Sequence, residues 1–302
     1  MTAYYNEFDP YSAQWLRNLI DAGLIAPGHV DDRSIVDVTA SDLAGYTQCH
    51  FFAGIGVWSH ALHLNRWPDN LEVWTGSCPC QPFSNAGKMK GFEDERHLWP
   101  IWKKLIKKRK PSIVFGEQVA SKDAAPWLDL VSVDMETMGL AFGACAFPSA
   151  GIGAPHIRDR TYFVAHANNP RLERWVRMQE RAAKLAARSR GVAHTLANAN
   201  SQRTKHAQQI SRNSGSKAGS VSGRHDAISQ DRQARENNGF WKNADWLQCR
   251  DGKWRAVEPG SFPLANGSAS RVGQLRAYGN AVNAYAAAAF IKASVGAIAD
   301  TL

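Results

Sequence analysis

YTQCHFFAGIGVWSHALHL, Tyr46–Leu64, decides how the rest of the chain is read. Its first half is a short apolar run. Its second half carries apolar residues at helical spacing. Phe52-Ala53-Gly54-Ile55-Gly56 lies between them. Such a stretch predicts a strand, a glycine turn and a helix. Two glycines at that junction let a ligand approach the backbone and leave amide N–H groups facing it. A glycine turn taken alone is equally well just a turn.

The same alternation continues downstream. LEVWTGS (Leu71–Ser77) and PSIVFGEQVAS (Pro111–Ser121) read as short buried strands, each ending in a loop. RHLWPIWKKLIKKRK (Arg96–Lys110) reads as a helix with Pro100 near its start and a basic last turn. WLDLVSVDMETMG (Trp127–Gly139) is an amphipathic helix closed by glycine, and RTYFVAHA (Arg160–Ala167) is a further strand. Strands alternating with helices predict an α/β fold built on a parallel sheet. Upstream, AQWLRNLIDAGLIAPG (Ala13–Gly28) has apolar residues at helical spacing and a Gly/Pro stop, so residues 1–47 are expected as a helical preface.

The chain has 302 residues, 44% hydrophobic and 21% charged, as in ordinary globular proteins. No basic start is followed by an apolar run, and Ala284–Ala299 is interrupted by Lys292 and short of a membrane span. A cytoplasmic protein is expected, with no membrane partner. The five cysteines are scattered and odd in number, which is no disulfide framework.

Net charge is +9, and it is localised. From Arg171 to Phe240 there are 14 Lys+Arg against 5 Asp+Glu, a surplus of 9, so the remainder holds 22 of each sign. Basic charge gathered in one segment suits a polyanion, most simply nucleic acid. Hydrophobic periodicity also fades there. The chain thus divides into a preface (1–47), an α/β core (48–167), a basic insert (168–260) and a C-terminal turn and helix returning to the core (261–302).

TGSCPCQPFSNAG (Thr75–Gly87) places two cysteines one residue apart between prolines. A metal site wants Cys-x-x-Cys pairs or convergent histidines, and no second pair exists, so no metal is expected. A redox pair usually has two intervening residues. The remaining readings are a buried structural cysteine, or Cys80 as a nucleophile held at a bend by Pro79 and Pro82. Glu117 follows the next apolar run, and neighbouring parallel strands end at one edge, so Cys80 and Glu117 can face one crevice. In HIRDRTYFVA, Arg158 and Arg160 alternate and point the same way on extended chain. Their guanidinium groups suit a carbonyl oxygen or a phosphate.

Phe-x-Gly-x-Gly at 52–56, Pro-Cys-Gln at 79–81 followed by Pro-Phe-Ser, Glu-Gln-Val at 117–119, Arg-x-Arg at 158–160 and Gly-Asn-Ala-Val at 279–282 occur in the order seen in DNA cytosine-5 methyltransferases. The chain resembles that family, especially its short phage-type members, over roughly Gln48–Val164 and Leu275–Ile291. The resemblance implies a Rossmann-like methyltransferase core with an inserted basic target-recognition region. It implies Cys80 as the nucleophile adding to carbon 6 of a flipped cytosine, and Glu117 as the acid on the ring's N3 and amino edge. Arg160 would contact O2, with Arg158 supporting the same pocket. Phe52, Ala53, Gly54, Ile55, Gly56, Asn280 and Ala281 match the cofactor side. Gln81 and Ser84 match DNA contacts. The implied cofactor is S-adenosylmethionine and the implied partner is DNA.

Three local departures are His156, Gln118 and Cys78 where the family usually has Gln, Asn and Pro. A larger one is the interval from Gly56 to Cys80. The familiar enzymes place two further strand–helix units there, which supply the acidic residue on the cofactor ribose and a contact to the adenine ring. Asp69, Glu72, Asp31 and Asp32 are the candidates to replace that carboxylate. The gap leaves two enzyme readings. One is methyl transfer from S-adenosylmethionine, preferred because the glycine turn and Gly-Asn-Ala-Val remain. The other keeps the Cys80 chemistry with methylenetetrahydrofolate as donor, giving 5-hydroxymethylcytosine. A non-enzyme reading is a DNA-binding relic with a decayed pocket.

Overall fold

A computed structural model describes residues 2–79, 98–120, 124–154, 157–186, 245–248, 254–257 and 281–302. Its centre is a seven-stranded sheet. The strands are β1 (Ala3–Asn6), β2 (Gly28–Asp31), β3 (Gln48–Phe51), β4 (Val73–Gly76), β5 (Ile113–Val119), β6 (Ala141–Pro148) and β7 (Asp159–His166), in the spatial order β2-β1-β3-β4-β5-β7-β6. The first five in that order run parallel, and β7 is antiparallel to both its neighbours. The expected parallel α/β sheet is therefore present, with one strand reversed. The helices are α1 (Pro10–Asp21), α2 (Val57–Leu64), α3 (Trp99–Arg109), α4 (Ala125–Thr137), α5 (170–186) and α6 (Ala284–Asp300). Two further strands, β8 (Asp245–Gln248) and β9 (Trp254–Val257), form an antiparallel pair.

Residues 1–47 are more than the helical preface their sequence suggests. They contain α1 as expected, but they also supply β1 and β2. β1 lies inside the sheet, between β2 and β3. The reason these strands escape a periodicity reading is their length. AYYN is four residues, buried on both faces, and shows no alternation. The two strands absent after the glycine-turn helix are thus found before it, on the side of β3 away from β4.

Each face of the sheet is covered. On one, Phe51, Trp74 and Phe163 pack with Trp99 and Trp102 of α3 and Trp127 of α4. On the other, Tyr5 packs with Leu16 of α1, and Phe115 and Tyr162 meet Trp58 of α2 and Phe290 of α6. Burying each such large side chain contributes about 1.5–3 kcal/mol. Among the described residues, the buried side-chain polar atoms Trp102 Nε1 and Tyr162 Oη lack a hydrogen-bond partner, while others are matched. Tyr5 Oη donates to Ala26 O at 2.6 Å and lies 2.9 Å from Ser59 Oγ. His50 stacks on Tyr5 at 4.8 Å and its Nδ1 is 2.8 Å from Thr75 Oγ1. Full burial pushes His50 down to about 3, so it is neutral in the core.

The alanine-rich α6 begins at Asn283, whose side chain accepts from the N–H groups of Tyr285 and Ala286 at 3.0 and 3.1 Å. Asn65 at the end of α2 donates to Ala288 O at 3.0 Å. That bond ties the last helix to the end of α2. The chain divides into two compact units, Met1–Arg174 with Glu236–Leu302, and Trp175–Arg235. The sheet and α6 belong to the first; of the second, residues 175–186 are described, as the later part of α5. Among the described residues no helix is long and apolar enough to cross a membrane.

Candidate active site

The register of the sheet lines up one row of residues at its carboxyl edge. Asn6 pairs with Phe51, Phe51 with Gly76 and Gly76 with Gly116. The residues that follow each of them are Glu7, Phe52, Ser77 and Glu117. Four strands from distant parts of the sequence therefore present their next residues side by side. Ligands of open α/β sheets bind in the crevice beyond this edge.

The glycine turn forms the middle of the row. Gly56 caps α2 with φ +76°, a left-handed conformation that a side chain would strain. Phe52 has φ +51°, a strained value for a bulky residue and one characteristic of functional sites. Glu7 reaches this turn from β1. Its Oε2 accepts from Gly54 N–H at 2.6 Å and its Oε1 from Asp9 N–H at 2.9 Å. A carboxylate accepts about four hydrogen bonds, and these two fix its orientation. Next to it Phe8 is 71% exposed.

Sequence reasoning missed Glu7. The four acids it weighed are placed otherwise. Glu72 precedes β4, at the opposite edge of the sheet, where its Oε2 accepts from Ser112 N and Oγ at 2.9 and 2.5 Å. Asp69 lies near the same edge, with its carbonyl accepting from Thr47 Oγ1. Asp31 is buried, which pushes its carboxyl up, but hydrogen bonds from Arg33 and Tyr4 outweigh burial and hold it at about 2. Asp32 pairs with Arg17 at 3.0 Å. The signal for Glu7 was slight: an acid one residue past the short apolar run Ala3–Tyr5.

Glu117 is buried near the end of β5, opposite Tyr162 of β7. Arg160 Nε lies 2.6 Å from its Oε1, and Ser77 hydrogen-bonds to its side chain. Burial raises its pKa, against the lowering influence of Arg160, Ser77 and Arg158, because desolvation penalises the charged form. A carboxyl so placed keeps its proton at higher pH than an exposed glutamate. Arg158 stands just before β7 with φ +33°, so strand alternation stops at Asp159. Its guanidinium still acts on Glu117 and donates to Ala281 O, which brings the C-terminal segment to the same edge.

The loop after β4 is held from several sides. Gln118 is buried and donates from Nε2 to Cys78 O at 3.2 Å. Trp58 Nε1 donates to Ser77 Oγ at 3.1 Å. A Cβ on Gly76 would stand 2.5 Å from the Trp102 ring, so only glycine lets this tryptophan lie under the strand end. Cys80, Gln81, Ser84 and Asn280 lie outside the described residues. Among the described residues no cluster of His, Cys, Asp and Glu could hold a metal ion. The expected site residues Phe52–Gly56, Glu117, Arg158, Arg160 and Ala281 all lie at the carboxyl edge.

The sequence profile of the family described as C-5 cytosine-specific DNA methylase matches residues 59–256, more than half of the chain. Type II methyltransferase M.HhaI of Haemophilus parahaemolyticus is 34% identical over 106 residues, 34% of this chain and 32% of that protein. Type II methyltransferase M.NgoMIV of Neisseria gonorrhoeae is 29% identical over 103 residues, 33% of each. The chain thus aligns with about a third of the length of these relatives. The solved Dnmt2 methyltransferase of S. pombe overlaps with a TM-score of 0.36 and 14% identity, covering 56% of this chain and 52% of that one. That overlap is too slight to add to the sheet order itself. The profile match begins beyond the glycine turn, so the parts that the register adds, Glu7 and Phe8, come from the structure alone. On the profile match, the chain belongs to the C-5 cytosine-specific DNA methylase family.

Proposed function

We infer that this protein is a DNA cytosine-5 methyltransferase using S-adenosylmethionine. The observation that carries the reading is the shared row at the sheet edge: a buried, Arg160-paired Glu117 beside a glycine turn and an oriented carboxylate, Glu7. The crevice fits the cofactor. Glu7 suits the ribose hydroxyls, the exposed Phe8 ring suits the adenine face, and the turn from Phe52 to Gly56 suits the close approach of the chain of the cofactor. Their place at the crevice supports S-adenosylmethionine over the folate donor, which was weighed because those contacts are missing after Gly56 in the sequence. Ala281 and, outside the described residues, Asn280 complete that side.

The chain's residues act on a cytosine brought out of the stack, since a stacked ring hides its edges. The Cys80 thiolate adds to carbon 6, forming an S–C bond and pushing electrons toward N3. Glu117 meets this with its proton at N3, and Arg160 and Arg158 hold the ring's oxygen side. The cofactor, when bound, supplies the electrophilic methyl group that the enamine-like carbon 5 takes up. Loss of the carbon 5 proton then expels the Cys80 sulfur, and N3 returns its proton to Glu117, which restores the ring and the acid. Gln81 and Ser84 contact the DNA, and the basic segment supplies phosphate contacts, which dominate affinity without reading sequence.

The test is incubation of purified protein with mixed-sequence DNA and S-adenosylmethionine, or methylenetetrahydrofolate, followed by nucleoside mass analysis. The expected product is 5-methylcytosine, made only with S-adenosylmethionine and abolished by Cys80→Ala. DNA carrying 5-fluorocytosine should be trapped covalently through Cys80. A product bearing CH₂OH at carbon 5, or no product with an intact Cys80, overturns the reading.

A further inference from the structure

The ladder between β4 and β5 stops short of the loop that leads to Cys80. Its last pair is Gly76 with Gly116, while β5 itself runs on to Val119. Beyond Gly76 a side chain takes over. Gln118 donates from Nε2 to Cys78 O at 3.2 Å, two residues past the end of the ladder. Its Oε1 accepts from Val119 N–H at 2.9 Å. These partners fix which way the amide points. A backbone N–H can only donate and a backbone carbonyl can only accept, so turning the amide over would lose both bonds. Gln118 and Cys78 are both buried, which leaves little room for water to replace the contact.

We propose that Gln118 is a positioning residue for Cys80, acting through the Cys78–Pro79 peptide. The Cys78 carbonyl and the Pro79 nitrogen belong to one rigid plane. The Pro79 ring locks its own φ at about −65° and keeps Cys78 away from helical backbone. With Cys78 O held, Pro79 ψ is the one soft torsion left before the peptide that carries Cys80. Side chains alternate along a strand, so Gln118 lies on the face opposite Glu117 and reaches the site through backbone alone. Its part in catalysis rests on the methyltransferase reading; its hold on the strand end does not.

Three variants of the full chain test this. Gln118→Met keeps the length of the side chain and removes the donor. Gln118→Asn keeps the amide on a shorter stem. Gln118→Glu donates to Cys78 O only while its carboxyl is protonated. The first readout needs no ligand: hydrogen exchange of the peptide spanning Ser77–Gln81. Gln118→Met and Gln118→Asn should speed exchange there about tenfold and leave α1 and α6 unchanged. The second is the rate of covalent trapping on DNA carrying 5-fluorocytosine with S-adenosylmethionine. Both variants should slow trapping about tenfold or more at unchanged affinity for DNA and cofactor, so that kcat falls and KM holds. Gln118→Glu should match wild type at low pH and fall behind it, in protection and in trapping, as pH rises through its titration. A side chain that only filled the core would give Gln118→Met the wild-type rate. That result, in a protein that makes 5-methylcytosine, overturns the positioning role, as does unchanged exchange in Gln118→Met. Should Gln118→Met fail to fold, a Gln118→Glu rate whose ratio to wild type does not fall with pH overturns it equally. Faster exchange in the variants of a protein that makes no methylcytosine leaves the hold on the strand end standing and removes the proposed function instead.

Discussion

Glu7 Oε2 accepts the Gly54 N–H at 2.6 Å, joining the end of the first strand to a turn 47 residues later. This bond explains how the chain can lack two strand–helix units after its glycine turn. The positions in the sheet are filled from the N-terminal side. What a nucleotide-like ligand meets at the carboxyl edge depends on spatial neighbours, and chain order does not enter.

Glu7→Gln should therefore weaken S-adenosylmethionine binding about tenfold or more, the scale of a lost hydrogen bond to a charged group. Calorimetric titration of the variant measures it. DNA binding should be unchanged. Affinity equal to wild type would remove Glu7 from the cofactor site.

Glu117→Gln should lower kcat by about 10²–10⁴, the range for a lost general acid, with cofactor affinity retained. Its stability has a pH sign as well. Burial raises the Glu117 pKa, so the folded state favours the neutral form, and the stabilisation it gives is full at low pH and lost as pH rises. Glu117→Gln escapes that loss. Urea midpoints of variant and wild type should diverge in the variant's favour as pH increases.

Gly76→Ala should destabilise the fold by about 1–3 kcal/mol, because its Cβ would meet the Trp102 ring at 2.5 Å. Trp102→Leu should recover part of the loss in the double variant. Additive losses, read from denaturant titrations, would show that the two residues do not share this contact.

Acid should weaken the protein through His50. Its folded pKa is about 3, against an ordinary 6.5, so the unfolded chain takes up a proton that the core refuses. Stability should fall by about 1.4 kcal/mol per pH unit below roughly 6. Asp31 adds to this below its ordinary value of 3.8, since the stabilisation held by its depressed pKa disappears as pH falls toward about 2. His50→Asn should flatten the upper part of this dependence, measured as the urea midpoint between pH 7 and 4.

The sequence by itself determined a good deal. The β3 strand, the glycine turn and α2 were legible because strand, turn and helix each leave a local mark within a few residues. The same holds for β4, β5, β7, α3 and α4. Glu117, Arg158 and Arg160 were found because an acid after a buried run, and alternate arginines before one, are also local patterns. Only the tertiary structure decided that residues 1–47 belong to the sheet and that Glu7 stands beside Gly54. Four-residue strands are too short to show periodicity, and their place is set by pairing, β1 with β3 far along the chain and β2 with β1. It also decided that β7 runs against its neighbours, that strand alternation ends at Asp159, and that Trp58 donates to Ser77. Those facts arise from register and packing between segments distant in sequence, which no short stretch of residues encodes.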